Sequence, residues 1–174
     1  MPNLLSRIVA LSLISMLLAA CGESPPAVEA PAEDRSLIGT IDSDGFAAML
    51  ESARGDVVLL NLWATWCAPC LKEIPDLVDL EQDLSDSGFR VIGISLDDAD
   101  AGEDVLSFRD EYFPEFFTYH VLDDDWYALL ADFAPNWPSV LPTVFVIDRN
   151  GELVETLVGG KDYQAFAAIV EPLL

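Results

Sequence analysis

Residues 57–75 read VVLLNLWATWCAPCLKEIP, and this stretch decides the fold. Its first seven residues are apolar except for Asn61, as expected of a strand that is buried on both faces of a sheet. From residue 69 to residue 84, apolar side chains recur at the spacing of one helix face. Cys67 and Cys70 therefore lie where a buried strand gives way to a helix.

The position of the cysteine pair indicates its chemistry. A thiol at the start of a helix faces unpaired backbone N–H groups and the positive end of the helix dipole, and both favour the reactive thiolate. Pro69 suits the first helical turn, where a missing N–H costs little. The three-residue spacing places both sulfurs on one side of that turn. We expect Cys67, on the outer side of the turn, to attack the disulfide of a partner. Cys70, one turn inward, is expected to resolve the resulting mixed disulfide.

Besides redox catalysis, the residues alone leave open half of a zinc site and a structural disulfide. Structural zinc needs four ligands, and with Cys21 assigned to lipidation, as argued below, only His120 joins the pair as a histidine or cysteine donor. A disulfide that closes so short a loop constrains the unfolded chain little. Redox catalysis is therefore the favoured interpretation.

The rest of the pattern predicts strands that alternate with helices. Strands separated by helices give a parallel core, and an Asn150-Gly151 turn gives a final hairpin that adds an antiparallel edge. The predicted fold class is α/β, a central mixed sheet flanked by helices. Strands are expected at residues 37–41, 57–63, 89–96, 118–122, 143–148 and 152–158, and helices at 43–53, 69–84, 105–112, 126–133 and 162–174.

Residues 1–20 predict a lipoprotein signal peptide. One positive charge, Arg7, precedes an apolar run at residues 8–18, which is shorter than the roughly 20 residues of a membrane-spanning helix. Leu18-Ala19-Ala20-Cys21 then resembles the lipobox of bacterial lipoproteins, which implies that Cys21 is lipidated. An ordinary signal peptide with an incidental cysteine is the alternative.

Composition bounds the rest of the chain. Residues 22–36 are rich in Pro, Ala and Glu, so that residues 21–36 are predicted to be a lipidated cysteine with a flexible tether. The folded domain is expected at residues 37–174.

The chain carries 8 Lys and Arg against 31 Asp and Glu, for a net charge of −23. Nucleic acid is therefore excluded as a partner, because phosphate binding needs a basic surface.

Two segments resemble the signature motifs of TlpA/ResA-type thiol–disulfide oxidoreductases of the thioredoxin superfamily. They are NLWATWCAPCLKEIP at residues 61–75 and LPTVFVIDRNG at residues 141–151. The resemblance covers residues 37–174. It implies a thioredoxin fold with the family's central insertion, here at about residues 96–133, and a redox-active disulfide between the two cysteines of the first motif.

The resemblance also implies residues that bind the substrate. Pro142 matches the family's cis-proline, which faces the cysteine pair and leaves the backbone of Leu141 free to pair with a substrate strand. A plain trans proline at the start of an edge strand is the alternative. Trp66 is expected to shield Cys67. Trp137 is expected either to line the substrate groove or to fill surface space.

Glu73 is the third predicted catalytic residue. It lies three residues after Cys70, on the same face of the helix, where the family carries an acid that helps to set the pKa of the cysteines and to move protons. Partial burial would raise its own pKa toward neutrality. A solvated glutamate beside Lys72 is the alternative. Asn61 stands where thioredoxin itself has a buried aspartate, so that proton transfer is expected to depend on Glu73.

The function that the resemblance implies is the reduction of client disulfides outside the cytoplasm by a membrane-anchored enzyme. The clients would be proteins such as apocytochrome c or copper-site proteins, and a membrane thiol-reducing protein would supply the electrons. The dithiol carries the electrons itself, so that neither a cofactor nor a metal is expected.

Two alternative functions stay open. A copper-binding assembly factor of the Sco type spaces its cysteines by three residues, whereas two residues separate them here. A peroxiredoxin-like peroxidase has a threonine three positions before its reactive cysteine, where this chain has Ala64.

Overall fold

The computed structural model describes residues 39–122 and 126–174. The predicted signal peptide at residues 1–20, Cys21 and the tether at residues 21–36 lie outside the described residues and stay predictions. The strands are β1 Gly39–Ile41, β2 Val57–Trp63, β3 Phe89–Ser95, β4 Thr118–Val121, β5 Thr143–Ile147 and β6 Leu153–Val158. The helices are α1 Ser43–Ser52, α2 Ala68–Leu84, α3 Gly102–Tyr112, α4 Trp126–Phe133 and α5 Tyr163–Val170.

One six-stranded sheet organises these elements, in the order β1-β4-β3-β2-β5-β6. The strands β1, β4, β3 and β2 run parallel to their neighbours. β5 is antiparallel to β2, and β6 is antiparallel to β5. The predicted α/β fold, with a mixed sheet and an antiparallel edge formed by the last hairpin, is confirmed.

The environment of the central strand β2 explains its apolar sequence. All seven of its residues are buried. Val57, Leu59 and Trp63 pack into one hydrophobic core with α2 and α5, while Val58 and Leu60 pack into a second core with α1 and α4. Helices thus cover both faces of the strand, as a continuous apolar run predicts.

The segment at residues 96–133 contributes α3, β4 and α4. β4 pairs with β1 on one side and with β3 on the other. Trp63, at the end of β2, is completely buried, and its indole N–H donates to Oγ1 of Thr118 at 2.8 Å. The described residues contain no helix that is long and apolar enough to cross a membrane.

Two element ends in the described part of the chain differ from the prediction by three residues or more. The helix expected at residues 162–174 ends as α5 at Val170, and the 3-10 helix Glu171–Leu173 follows it. Pro172 explains this end, because its ring nitrogen has no hydrogen to donate to a carbonyl of the preceding turn. Helix α3 begins at Gly102, three residues before the start that its apolar spacing predicts.

Candidate active site

The cysteine pair lies at the junction of β2 and α2. Cys67 is the N-cap of α2, and its Sγ accepts a hydrogen bond from the backbone N–H of Cys70 at 3.3 Å. The two cysteines form a disulfide, with 5.3 Å between their Cα atoms. Cys67 is 5% exposed and Cys70 is fully buried. An incoming group therefore reaches the sulfur of Cys67 first.

A cavity of about 410 Å³ opens beside this disulfide. The predicted substrate residues Trp66 and Leu141 both contribute to its wall, as does Trp137. Trp66 is 70% exposed, so that its indole stands at the rim. The full lining consists of Trp66, Cys67, Ala68, Pro69, Leu96, Trp126, Trp137, Ser139 and Leu141.

Leu141 and Pro142 directly precede β5, and Leu141 lines the same cavity as Cys67, whereas Pro142 is not among the lining residues. The Leu141–Pro142 peptide bond is cis, as the resemblance implies. The carbonyl of Pro142 accepts a hydrogen bond from the backbone N–H of Gly159 at 3.0 Å. Trp137 donates its indole N–H to Oγ1 of Thr143 at 3.0 Å, which fixes the ring in the cavity wall and not on open surface.

Trp126 is a cavity residue that the sequence did not reveal. Its ring centroid lies 5.6 Å from that of Trp137, across a part of the wall built by two segments that are distant from the cysteines along the chain. The sequence presented Trp126 only as the first residue of a helix, and no motif connects it to the cysteine pair.

Glu73 is a buried carboxylate next to the first turn of the cysteine helix. Its side chain is 2% exposed, which contradicts the alternative of a solvated glutamate. Nδ2 of Asn61 donates to Oε1 at 2.8 Å, and the backbone N–H of Lys161 donates to Oε2 at 3.2 Å. Burial raises the pKa of Glu73 to about 7, although both hydrogen bonds act to lower it. A group with this pKa can accept and return a proton near neutral pH.

Asn61 belongs to the site through this contact. It is completely buried in β2, and its amide donates a hydrogen bond to Oε1 of Glu73. Sequence reasoning treated Asn61 as a departure from thioredoxin and gave it no role of its own. The signal that could have found it is its isolation, because it is the single polar residue in the buried strand at residues 57–63.

The loop before Cys67 is held by Asp97, which sequence reasoning missed. The carboxylate accepts hydrogen bonds from the backbone N–H of Thr65 at 3.0 Å and from its hydroxyl at 2.6 Å. The hydroxyl of Ser95 donates to the same carboxylate at 2.7 Å. No sequence signal distinguishes Asp97 from the neighbouring acids of this segment.

His120 lies in β4 and is 1% exposed. Its Nδ1 is 3.4 Å from Oγ of Ser95, and its Nε2 is 3.4 Å from the carbonyl oxygen of Ala99. Its contacts are therefore those of a buried strand residue. In the part of the chain that the structure describes, no three His, Cys, Asp or Glu side chains are grouped so as to hold a metal ion.

Comparisons with known proteins agree with this geometry. The AhpC/TSA family model matches residues 22–156. The chain is 31% identical over 118 residues to the thiol-disulfide oxidoreductase ResA of Bacillus thuringiensis (strain Al Hakam), covering 68% of this chain and 64% of that relative. It is 34% identical over 116 residues to the thioredoxin-like protein YneN of Bacillus subtilis (strain 168), covering 66% of this chain and 64% of that relative.

A solved structure of a related kind of protein also matches this chain. The thiol:disulfide interchange protein of Chlorobium tepidum TLS, a thioredoxin family protein, matches with a TM-score of 0.61 at 25% identity. The match covers 71% of this chain and 83% of that one. The chain spans 64% of the length of the ResA and YneN relatives described above.

Proposed function

Because this chain belongs to the AhpC/TSA family, as a ResA-like member of the thioredoxin superfamily, we propose that it is a thiol–disulfide oxidoreductase. The observation that carries the proposal is the Cys67–Cys70 disulfide, which caps α2 and borders an open cavity. A structural disulfide has no need of such access. The proposed net reaction is the reduction of client disulfides.

The reaction proceeds through a mixed disulfide. The thiolate of Cys67 attacks one sulfur of the client disulfide, the client S–S bond breaks, and one client sulfur leaves as a thiolate. Cys70 then loses its proton, and its thiolate attacks the sulfur of Cys67. This second step forms the Cys67–Cys70 disulfide and releases the other client sulfur. The client gains the two electrons that the cysteine pair loses. Its two thiolates take up two protons, which balance the one that Cys67 released to solvent before the attack and the one that Cys70 releases in the second step.

Glu73 is the proposed acceptor of the proton that Cys70 loses. It follows Cys70 by three residues on α2, and burial gives it a pKa of about 7. A carboxylate with an ordinary pKa would be a weak base toward a thiol, whereas a pKa near the working pH lets the same group take up and release the proton.

The cavity beside Cys67 is the proposed binding place for the client segment. The exposed indole of Trp66 and the half-buried indole of Trp137 offer apolar surface at its wall. Leu141 lines the same cavity, and an extended client strand pairing with its backbone would lie there. A client cysteine held in this place is next to the sulfur that attacks it.

The proposed location is the cell envelope. The signal pattern at residues 1–20 and the lipobox that ends at Cys21 support a lipid-anchored protein facing the periplasm or another extracytoplasmic space. Its proposed partners are disulfide-bearing clients, of the apocytochrome c or copper-site type, and a membrane thiol-reducing protein as electron donor. Labelling with a radioactive fatty acid tests the anchor, because wild type should incorporate the label and Cys21→Ser should not.

Covalent trapping tests the proposed reaction. Serine is close to cysteine in size but does not act as a nucleophile at neutral pH, so that Cys70→Ser should accumulate mixed disulfides between Cys67 and its clients. Cys67→Ser, the matched control, should capture little, because the remaining thiol is buried. Non-reducing gels of envelope extracts show the outcome. Trapping by Cys67→Ser alone would reverse the roles of the cysteines, equal trapping by both variants would contradict the assignment of Cys67 as the attacking residue, and trapping by neither would favour the copper-binding alternative.

A further inference from the structure

The hydrogen bonds around Glu73 restrict where a proton can sit on its carboxyl group. Oε2 faces the backbone N–H of Lys161 at 3.2 Å, and a backbone N–H can donate but cannot accept. A proton on Oε2 that pointed toward Lys161 would face another donor. Oε1 faces the side-chain amide of Asn61 at 2.8 Å, and an amide also carries an acceptor oxygen, so that a proton on Oε1 has a neighbour able to accept it.

The amide of Asn61 carries both kinds of hydrogen-bonding group. Its Nδ2 donates to Oε1 of Glu73. Within the described residues, its Oδ1 is buried and has no hydrogen-bond partner. A buried acceptor without a partner costs free energy, and this one is on the same rotatable group as the donor that contacts Glu73. Half a turn of the amide exchanges the two atoms with little change in shape.

We propose that Asn61 is a positioning residue that hydrogen-bonds Glu73 in both of its protonation states by turning its amide over. The structure shows Nδ2–H of Asn61 donating to Oε1, which is the arrangement that suits the ionised carboxylate. When Glu73 takes up a proton, the new O–H on Oε1 donates to Oδ1 of Asn61. The inference rests on the proposed function, in which Glu73 exchanges a proton with Cys70 in every catalytic cycle.

Two charged side chains, Lys161 and Asp76, also act on Glu73. Burial raises the pKa of Glu73 most, the hydrogen bonds and the charge of Lys161 lower it, and the charge of Asp76 raises it. None of these groups changes from donor to acceptor when Glu73 titrates. Asn61 is therefore the neighbour that lets the carboxyl group change state without leaving a donor facing a donor.

The first test follows the amide itself in the oxidised protein, where the cysteines do not titrate. The side-chain 15N–1H signals of Asn61 are recorded from pH 5 to pH 9 on uniformly labelled protein. We expect them to shift with a midpoint near 7, which is the pKa of Glu73, and to stay constant in Glu73→Gln. If these signals stay constant in wild type while the carboxyl carbon of Glu73 titrates, the inference is wrong.

The second test uses the pH profile of disulfide exchange with a synthetic disulfide peptide. Asn61→Leu removes the donor to the carboxylate and the acceptor for the acid. Because a hydrogen bond to an ionised group is about twice as strong as one to a neutral group, the midpoint of the profile should rise by about one pH unit. Asn61→Gln keeps the amide and should restore most of the wild-type profile. An unchanged midpoint in Asn61→Leu would overturn the inference.

The two failures can be told apart. If Glu73→Gln leaves the rate and its pH profile as in wild type, the proton role of Glu73 is wrong, and the inference falls with it. If Glu73→Gln removes the transition near pH 7 while Asn61→Leu keeps the wild-type midpoint, the proposed function stands and the role of Asn61 alone is wrong.

Discussion

Replacing Glu73 by glutamine should stabilise the oxidised protein at alkaline pH. The carboxylate is 2% exposed, and burial raises its pKa from 4.5 to about 7. The folded state therefore binds this proton more tightly than the unfolded state does, and the free energy of unfolding falls as pH rises from about 4.5 to 7. Glutamine is neutral throughout and escapes this loss.

The size of the effect follows from the difference between the two pKa values. Each pKa unit corresponds to about 1.36 kcal/mol, so that the raised pKa of Glu73 is equivalent to about 3 kcal/mol of lost stability above about pH 8. Glutamine keeps the contacts, because its oxygen accepts from the N–H of Lys161 and its amide donates to Oδ1 of a turned Asn61. The gain of Glu73→Gln over wild type should therefore grow by about 3 kcal/mol between about pH 4.5 and pH 8.5.

Urea unfolding of the oxidised proteins at these two pH values measures the difference. Glu155→Gln is the matched control, because Glu155 is exposed on β6 and its replacement should change stability equally at both pH values, within about 0.5 kcal/mol. If Glu73→Gln gains no more at the higher pH than at the lower one, burial does not disfavour the Glu73 carboxylate and the argument for its raised pKa fails.

Three further predictions follow from the same site. In the reduced protein, the alkylation rate of Cys67 should reach half its maximum below about pH 8.5, the ordinary pKa of a thiol, because this sulfur caps α2. A midpoint at or above that value would contradict the argument that the helix dipole stabilises the thiolate. Asp97→Asn should lower the free energy of unfolding by about 1–3 kcal/mol through lost hydrogen bonds, while Asp98→Asn, at an exposed neighbour, should leave it within about 0.5 kcal/mol. Equal effects of the two substitutions would contradict the role of Asp97 in holding the loop. Trp66→Ala should raise the KM for a disulfide peptide several-fold without changing stability. The control Tyr112→Ala should not affect KM, because it removes a side chain that is 56% exposed on α3. An unchanged KM in Trp66→Ala would contradict a role of the indole in client binding.

Local sequence patterns predicted the framework of the fold well. The bounds of β2 and α4 agree with the apolar run at residues 57–63 and the helical spacing at residues 126–133. These elements depend on neighbours along the chain and on how many faces are buried, which the continuous apolar run of β2 and the helical spacing of α4 record directly. The helix at the C-terminus was predicted too long, since apolar spacing continued past the residue where Pro172 ends regular hydrogen bonding.

Contacts between distant residues were the part that the sequence could not supply. The cysteine pair was found because its chemistry lies within one motif. Asn61 and Glu73 are twelve residues apart on different elements, and Thr65 and Asp97 are 32 residues apart. Such pairs meet because β2, β3 and α2 pack together, and nothing in the local pattern of either partner records the meeting.

Equilibrium redox titration of the Cys67–Cys70 pair in the folded protein tests the central claim most directly. We predict a reversible two-electron transition, with the near-ultraviolet circular dichroism of the fold retained. The reduction potential should lie between roughly −300 and −120 mV, the range of catalytic dithiols. A disulfide that is reduced only when the protein unfolds, or whose potential lies below about −300 mV as in structural disulfides, would contradict the proposed redox role.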